Sequence, residues 1–243
     1  MTDDPTAEEP THEQVAWGYD AESGPAVWGC LSTDYALCAL GKHQSPINLV
    51  DPTPAAVAAL AFNYRPTMLS IENNGHTVEV RSTNDNWIEV GDDSYELVQF
   101  HFHTPGEHTV AGQRFDMEIH LVHRNEAEEL AVVGILVRRG NSHPLLELVA
   151  EHIPGRGQVR TLQHTMINAA DLLPTERRSF RYEGSLTTPP CSEGVRWFVL
   201  ETPIEASAAE LAAFEAALGT NNRPVQALNG RKLLIEQESV PRG

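Results

Sequence analysis

The chain has 243 residues, 41% of them hydrophobic, and its 17 basic and 34 acidic residues give a formal net charge of −17. That length is enough for one sizeable hydrophobic core, or at most two small ones. The negative charge argues against nucleic acid and anionic membranes as partners, and an ordinary acidic, solvated surface is its simplest interpretation. No apolar run approaches the roughly 18 to 20 residues that span a bilayer, so we expect no membrane span.

Residues 1–15 are acidic and polar, and we interpret them as a flexible tail that precedes one domain at residues 16–243. The first ten residues contain neither a basic nor an apolar stretch, so we expect no signal peptide there. The protein is then either cytosolic or a secreted form whose signal was removed. From Trp17 onward we find no composition shift, internal repeat or low-complexity block, which favours a single domain.

In chain order, alternating or β-rich runs predict strands, which are separated by turn-forming groups such as Asn73-Asn74-Gly75. The predicted strands span residues 69–71, 77–81, 86–90, 96–102, 117–123, 130–137 and 195–200. Helical spacing of apolar residues predicts a helix over residues 143–152, and a capping box of Ser207 and Glu210 predicts a second helix that ends before Gly219. We therefore expect a mainly β (α+β) domain, with short peripheral helices around a large central, twisted and mostly antiparallel β-sheet.

One predicted strand carries two histidines on the same face. In the run Leu-Val-Gln-Phe-His-Phe-His at residues 97–103, the period of two places Gln99, His101 and His103 together. The alternate residues, beginning with Val98, are expected to face an apolar core. Two imidazoles spaced in this way can chelate one metal ion, although a His-x-His pair alone is more often two surface histidines.

The next predicted strand supplies a third histidine. In residues 117–123, Glu118 and His120 share one face, whereas His123 falls on the apolar face and is interpreted as a core residue. If the two strands are neighbours, three nitrogens plus one water form the open tetrahedral arrangement of a catalytic zinc. Gln99 and Glu118 could accept the N–H groups of the ligands and so fix their tautomers. Four histidines outside this pattern are interpreted as ordinary loop or helix residues: His108, His143, His152 and His164.

Further motifs surround these strands. Glu107-His108-Thr109 lies between them, and the others are Trp17-Gly-Tyr19, Gln44-Ser-Pro-Ile-Asn48, Asn73-Asn-Gly-His76, Gly184-Ser-Leu-Thr-Thr-Pro-Pro190 and Asn221-Asn-Arg-Pro-Val-Gln226. Each motif is weak alone. Their order and combination over residues 16–236 resemble the α class of carbonic anhydrases.

The resemblance implies zinc-dependent, reversible hydration of carbon dioxide to bicarbonate and a proton, with Zn²⁺ held by His101, His103 and His120. It implies that Thr187 accepts the proton of the bound hydroxide and passes its own hydroxyl hydrogen to Glu107. It also implies that His76 is the proton shuttle. The residues that orient the ligands would be Gln99, Glu118 and Asn221. The apolar pocket for carbon dioxide would consist of Val122, Val132, Leu186, Thr188, Val195 and Trp197. From the residues alone, the pocket positions also fit plain core packing and His76 also fits an ordinary turn.

Other functions compete with this interpretation. One is a non-catalytic binding module on the same fold, which the retention of all three histidines with Thr187 and Glu107 argues against. Another is a zinc hydrolase of esters, and ester hydrolysis is expected as a side reaction in any case. No His-Glu-x-x-His motif indicates a protease. For the enzyme we expect inhibition by sulfonamides and anions, and a monomer or homodimer.

The three cysteines are Cys30, Cys38 and Cys191, and no Cys-x-x-Cys spacing indicates a cysteine zinc site. The residues alone leave their pairing open. Thr-Thr-Pro-Pro-Cys191, with Cys38 upstream of Gln-Ser-Pro, resembles the secreted bacterial branch of the family. That resemblance implies a Cys38–Cys191 disulfide, a free Cys30 and a periplasmic or secreted protein.

Overall fold

The structure is a computed structural model that describes residues 15–82 and 85–237. The predicted tail at residues 1–15 lies outside the described part, apart from Val15, so the domain boundary at residue 16 stays a prediction. In the described ranges, no helix is long and apolar enough to cross a membrane.

Strands make up most of the regular structure. The strands are β1 (Asn48–Leu49), β2 (Thr53–Ala55), β3 (Leu60–Asn63), β4 (Thr67–Asn73), β5 (Val78–Arg81), β6 (Trp87–Val90), β7 (Asp93–His103), β8 (Thr109–Val110), β9 (Gln113–Arg114), β10 (Met117–Arg124), β11 (Leu130–Arg139), β12 (Gln158–Ile167), β13 (Ser179–Ser185), β14 (Glu193–Ala206) and β15 (Leu234–Glu236). The helices are α1 (Trp28–Leu31), α2 (Leu37–Leu40), α3 (Pro144–His152) and α4 (Ala208–Leu218), with 3₁₀ turns at Thr33–Tyr35 and Ala169–Leu172.

One 12-stranded sheet organises the fold, in the order β12-β4-β5-β7-β10-β11-β14-β13-β15-β2, while β3 and β6 extend it beside β7. Two pairs in this sheet, β11–β14 and β15–β2, are parallel, and its other pairs are antiparallel. A small sheet of β1, β8 and β9 lies apart. The predicted mainly β fold with a mostly antiparallel central sheet is confirmed.

The sheet buries apolar side chains on both faces. The larger core includes Phe100 and Phe102 of β7 and the apolar residues of α3 and α4, such as Phe214. The second core lies around Trp197 of β14. The two long helices form as predicted, and the capping box is present: the Ser207 hydroxyl accepts from the N–H of Glu210, whose carboxylate accepts from the N–H of Ser207.

A β-bulge corrects one prediction for β7. The pairing with β10 runs Val122 to Gln99 and then His123 to Leu97, so Val98 is the extra residue. Val98 is 39% exposed, whereas Leu97 is 4% exposed and occupies the core position. The prediction that Val98 faces the core was wrong, because an added residue shifts the alternation by one.

Candidate metal centre

The pairing of β7 with β10 brings the three predicted histidines onto one face of the sheet. In the register of this antiparallel pair, His120 lies opposite His101, and Glu118 lies opposite His103. One ring nitrogen from each histidine lies within 4.8 Å of the other two. His103 and His120 are buried, and His101 is half-buried. The three imidazoles therefore form a compact cluster that could hold a metal ion.

Hydrogen bonds orient each imidazole in the cluster. The contacts are His101 Nδ1 to Gln99 Oε1 at 2.8 Å, His103 Nδ1 to the Asn221 carbonyl at 2.9 Å, and His120 Nε2 to Glu118 Oε1 at 2.9 Å. Each oxygen is an acceptor, so the bonded nitrogen carries the proton and the other nitrogen carries a lone pair. Nε2 of His103 is buried without a hydrogen-bond partner among the described residues. An unpaired buried nitrogen in such a cluster fits a metal ligand, and three nitrogens fit zinc.

The surroundings also keep these imidazoles neutral. Burial lowers the pKa of His103 and of His120, and it lowers the pKa of His101 to well below its usual range. Metal binding requires a neutral imidazole, because the lone pair must be free. The pKa shifts and the hydrogen bonds thus favour the same protonation state.

Glu118 connects the cluster to a buried histidine that was not predicted to belong to it. Its Oε1 contacts His120 Nε2 and, at 2.6 Å, His108 Nδ1, while its Oε2 accepts from the N–H groups of Glu107 and His108. Burial acts to raise the pKa of Glu118, but His108 and His120 outweigh it, and the pKa lies well below its usual range. His108, Glu118 and His120 also lie within 4.8 Å of one another, but direct hydrogen bonds already join them.

The interpretation of His108 as an ordinary loop residue was wrong. His108 is buried, and its Nε2 lies 2.7 Å from the hydroxyl of Tyr182, which donates to Ser45 Oγ at 2.8 Å. A continuous chain of hydrogen bonds therefore runs from His120 through Glu118 to β13 and the segment before β1. The Glu107-His108-Thr109 motif was the one signal in the sequence that could have identified this residue.

Glu107 and Thr187 lie beside the cluster. Oε1 of Glu107 accepts from the N–H of Arg223 at 2.7 Å and lies 3.6 Å from His103 Nδ1, and Oε2 lies 3.9 Å from His120 Nδ1. Burial raises the pKa of Glu107 to about 7, against the lowering effects of His120, Arg223 and the Thr187 hydroxyl. Oε2 of Glu107 is buried and has no hydrogen-bond partner among the described residues.

The predicted apolar pocket lies next to the histidines. Three of its predicted members are buried in the second core and two pack against them: Val132, Val195 and Trp197, with Val122 and Leu186. The ring of Trp197 lies 4.8 Å from that of His120. Thr188 is half-buried and follows Thr187 in the chain. An apolar wall thus adjoins the candidate metal ligands.

Comparisons with known proteins decide the family. The family model described as eukaryotic-type carbonic anhydrase matches residues 23–237. This chain belongs to that family. It is 44% identical over 228 residues to the carbonic anhydrase of Nostoc, covering 91% of this chain and 86% of the relative. The α-carbonic anhydrase of Thermovibrio ammonificans, solved with the inhibitor sulfanilamide, is 41% identical with a TM-score of 0.88, over 92% of this chain and 100% of the other.

Solved structures with this fold contain ligands other than sulfonamides. Dioscorin, solved in complex with ascorbate, is 30% identical to this chain with a TM-score of 0.83, over 92% of this chain and 100% of dioscorin. A fold hosts functions through the residues of its sites, so the side chains at the histidine cluster carry more weight than the fold.

His76, the predicted shuttle of this carbonic anhydrase, lies on the turn between β4 and β5. Its ring stacks on Trp17, with centroids 3.8 Å apart and planes at 12°. Its carbonyl accepts from Asn221 Nδ2 at 3.0 Å. His76 is half-buried, and burial, with Arg156 nearby, lowers its pKa. The residue is therefore held in place at its backbone and across one face of its ring.

The predicted disulfide of this carbonic anhydrase is confirmed. Cys38 and Cys191 are bonded across 153 residues, and Cys30 is free and exposed. The bond joins α2 to the turn that follows Thr187.

Proposed function

We propose that this protein is a zinc-dependent carbonic anhydrase that catalyses the reversible hydration of carbon dioxide to bicarbonate and a proton. The observation that carries the proposal is the convergence of His101, His103 and His120. In each imidazole one ring nitrogen is hydrogen bonded to a protein oxygen, and the other nitrogen of His103, Nε2, is buried without a partner among the described residues. Membership of the carbonic anhydrase family supports the reaction. Zn²⁺ is the cofactor that three histidine nitrogens with one open position fit best.

The three imidazoles would hold the metal, and Gln99, Glu118 and the Asn221 carbonyl would keep their lone pairs directed at it. Zinc in such a site supplies Lewis acidity, which lowers the pKa of water to about 7 and allows a nucleophile at neutral pH.

Thr187 and Glu107 would select and orient the nucleophile. The Thr187 hydroxyl can donate its hydrogen to the buried Glu107 carboxylate, which leaves the Thr187 oxygen as an acceptor for a hydrogen of the nucleophile. Only a group that carries a hydrogen satisfies that acceptor. The Arg223 N–H fixes the other carboxylate oxygen of Glu107, so the carboxylate is held for this role.

The apolar wall would hold carbon dioxide, which has no net charge and no donor. Val132, Val195 and Trp197 offer no charged group and exclude water from one side of the histidine cluster. Bicarbonate is charged and polar, so the same wall favours its release.

His76 would carry the product proton to solvent. An imidazole titrates close to neutral pH and can both accept and release a proton there. The stack on Trp17 fixes one orientation of the ring at the edge of the described site.

We also infer a periplasmic or extracellular location, because a disulfide persists in an oxidising compartment. Sulfonamides and inorganic anions are expected to inhibit the enzyme, and the Thermovibrio relative was solved with such a sulfonamide. Hydrolysis of activated esters is expected as a side reaction. The protein is expected to be a monomer or a homodimer.

Stopped-flow hydration of carbon dioxide by zinc-loaded protein tests the proposal, with zinc content measured on the same sample. We expect turnover far above the uncatalysed rate and its loss on adding a sulfonamide. His103→Ala should lose both zinc and activity, whereas His164→Ala, a matched change on exposed β12, should keep both. A folded, fully zinc-loaded wild type without acceleration would refute the enzyme and favour a binding module.

A further inference from the structure

Arg223 is a buried cation that no acidic side chain pairs directly. Its side chain is 1% exposed, and in residues 15–82 and 85–237 no carboxylate forms an ion pair with it. Nη1 donates to Gln44 Oε1 at 2.8 Å and to the Ser45 carbonyl at 2.9 Å, and Nη2 donates to the Cys38 carbonyl at 2.9 Å. Burying a charge is costly, and the three hydrogen bonds, the attraction of Glu107 and the contact with the Trp28 ring offset that cost here.

The backbone beside this guanidinium contacts the candidate site at three points. The N–H of Arg223 donates to Glu107 Oε1 at 2.7 Å. Two residues earlier, the Asn221 carbonyl accepts from His103, and its side-chain amide donates to the His76 carbonyl. Residues 221–223 lie outside helices and strands, and Asn221 is held by its own hydrogen bonds to Thr104 and Phe102. The guanidinium bonds therefore bear chiefly on Arg223 itself and on its N–H bond to Glu107.

The guanidinium also supports the aromatic group under His76. It lies 5.8 Å from the centroid of the buried Trp28 ring, whose edge contacts Trp17 at 5.4 Å between centroids. Trp17 in turn stacks on His76. Arg223 is therefore one contact from Glu107, through its N–H, and three contacts from His76, through Trp28 and Trp17.

We infer that Arg223 is a positioning residue for the proposed carbonic anhydrase reaction: its guanidinium fixes Arg223 to residues 38–45, and its N–H thereby holds the Glu107 carboxylate in its working position. The inference rests on the proposed function. It adds a residue that touches neither the metal ligands nor substrate through its side chain.

The chemistry of the guanidinium explains why arginine suits this position. Its planar fork of donors reaches three carbonyl-type acceptors from two chain segments at once. A lysine ammonium at the same place offers a single point of attachment, and a methionine offers no donor. Arg223→Lys should therefore retain part of the function, and Arg223→Met should lose more.

Arg181 provides a matched control. It is buried, and its guanidinium likewise ties chain segments together, through Ser179 Oγ, the Ala58 carbonyl and Glu236 Oε2. These three partners take no part in the hydrogen bonds described for the histidine cluster and Glu107. Arg181→Met removes a comparable set of bonds without the proposed connection.

The experiment compares wild type, Arg223→Met, Arg223→Lys and Arg181→Met as zinc-loaded proteins, with kcat and KM for carbon dioxide hydration expressed per folded, zinc-containing molecule. Loss of a residue that orients a metal site costs about 10- to 100-fold in activity or metal affinity. We expect a drop of that size in kcat/KM for Arg223→Met, partial recovery in Arg223→Lys and the wild-type value in Arg181→Met. A purely structural role would lower stability and leave activity per folded, loaded molecule unchanged.

The inference is overturned if Arg223→Met at full zinc occupancy keeps the wild-type kcat/KM, or if Arg181→Met loses as much. Should Arg223→Met fail to fold, Arg223→Lys decides: reduced kcat/KM in folded, loaded protein supports the inference, and the wild-type value overturns it. An inactive, zinc-loaded wild type would instead refute the proposed function, so the two failures are distinguishable.

Discussion

Removing the Cys38–Cys191 disulfide should destabilise the protein strongly. The bond closes a loop of 153 residues. In the chain-entropy treatment, a loop of this length lowers the entropy of the unfolded chain enough to be worth about 5 kcal/mol at 25 °C. Globular domains are stable by roughly 5 to 15 kcal/mol in total, so the loss is a third or more of the free energy of unfolding.

The double variant Cys38→Ala/Cys191→Ala isolates this effect. Alanine avoids placing a new hydroxyl at the fully buried Cys191 position. The carbonyls of both residues keep their donors, Arg223 and Gln44, so the main change is the missing covalent link. Cys30→Ala, at the free and exposed cysteine, is the matched control and should leave stability unchanged.

Equilibrium unfolding in urea measures the effect, followed at equal zinc occupancy. The free energy of unfolding is the quantity to compare, because an unlinked unfolded chain exposes more surface and raises the denaturant slope as well. We expect a loss of about 5 kcal/mol in the double variant. A loss below about 1 kcal/mol with an unchanged slope would contradict the assignment of this stability to the loop.

Three further predictions concern the site and the core. His76→Ala should slow turnover in weak buffer and recover on adding imidazole, and equal turnover of both proteins in weak buffer would remove the shuttle role. Thr187→Val should lower kcat/KM by about 100- to 1,000-fold, the scale for one transition-state hydrogen bond, at unchanged zinc content; near-wild-type kcat/KM would refute its role. Burial lowers the pKa of His123 to about 3 from 6.5. Below pH 6.5 the His123 imidazole therefore binds a proton in the unfolded chain but stays neutral in the folded protein. When the pH falls from 7 to 5, the wild type should therefore lose about 2 kcal/mol more of its free energy of unfolding than His123→Phe does. Urea titrations at both pH values measure the two losses, and equal losses would contradict this.

The candidate metal ligands were predictable because their signal is local. Alternation along a strand places His101 and His103 on one face without any knowledge of the fold. His120 needed one added assumption, that its strand is a neighbour, and the register of β7 and β10 supports it. The disulfide, by contrast, came from family resemblance, since spacing alone left the pairing of three cysteines open.

The residues that surround the ligands were harder to predict, because their contacts join distant parts of the chain. His108 contacts Tyr182 across 74 residues, Tyr182 contacts Ser45 across 137, and Arg223 contacts Cys38 across 185. No periodicity encodes such contacts. In the same way, β12 was missed because it is mostly exposed and therefore shows no apolar alternation.

The position of β15 between β13 and β2 has a consequence for biosynthesis. The chain makes β2 early, but its partner β15 follows about 180 residues later. At a synthesis rate of about 5 to 20 residues per second, β15 is made roughly 10 to 35 s after β2. Until then, the backbone groups of β2 and the far side of β13 are unpaired and open to association with other chains. Completion of the sheet is thus a late event, and the time before it is when a nascent chain most needs protection from aggregation.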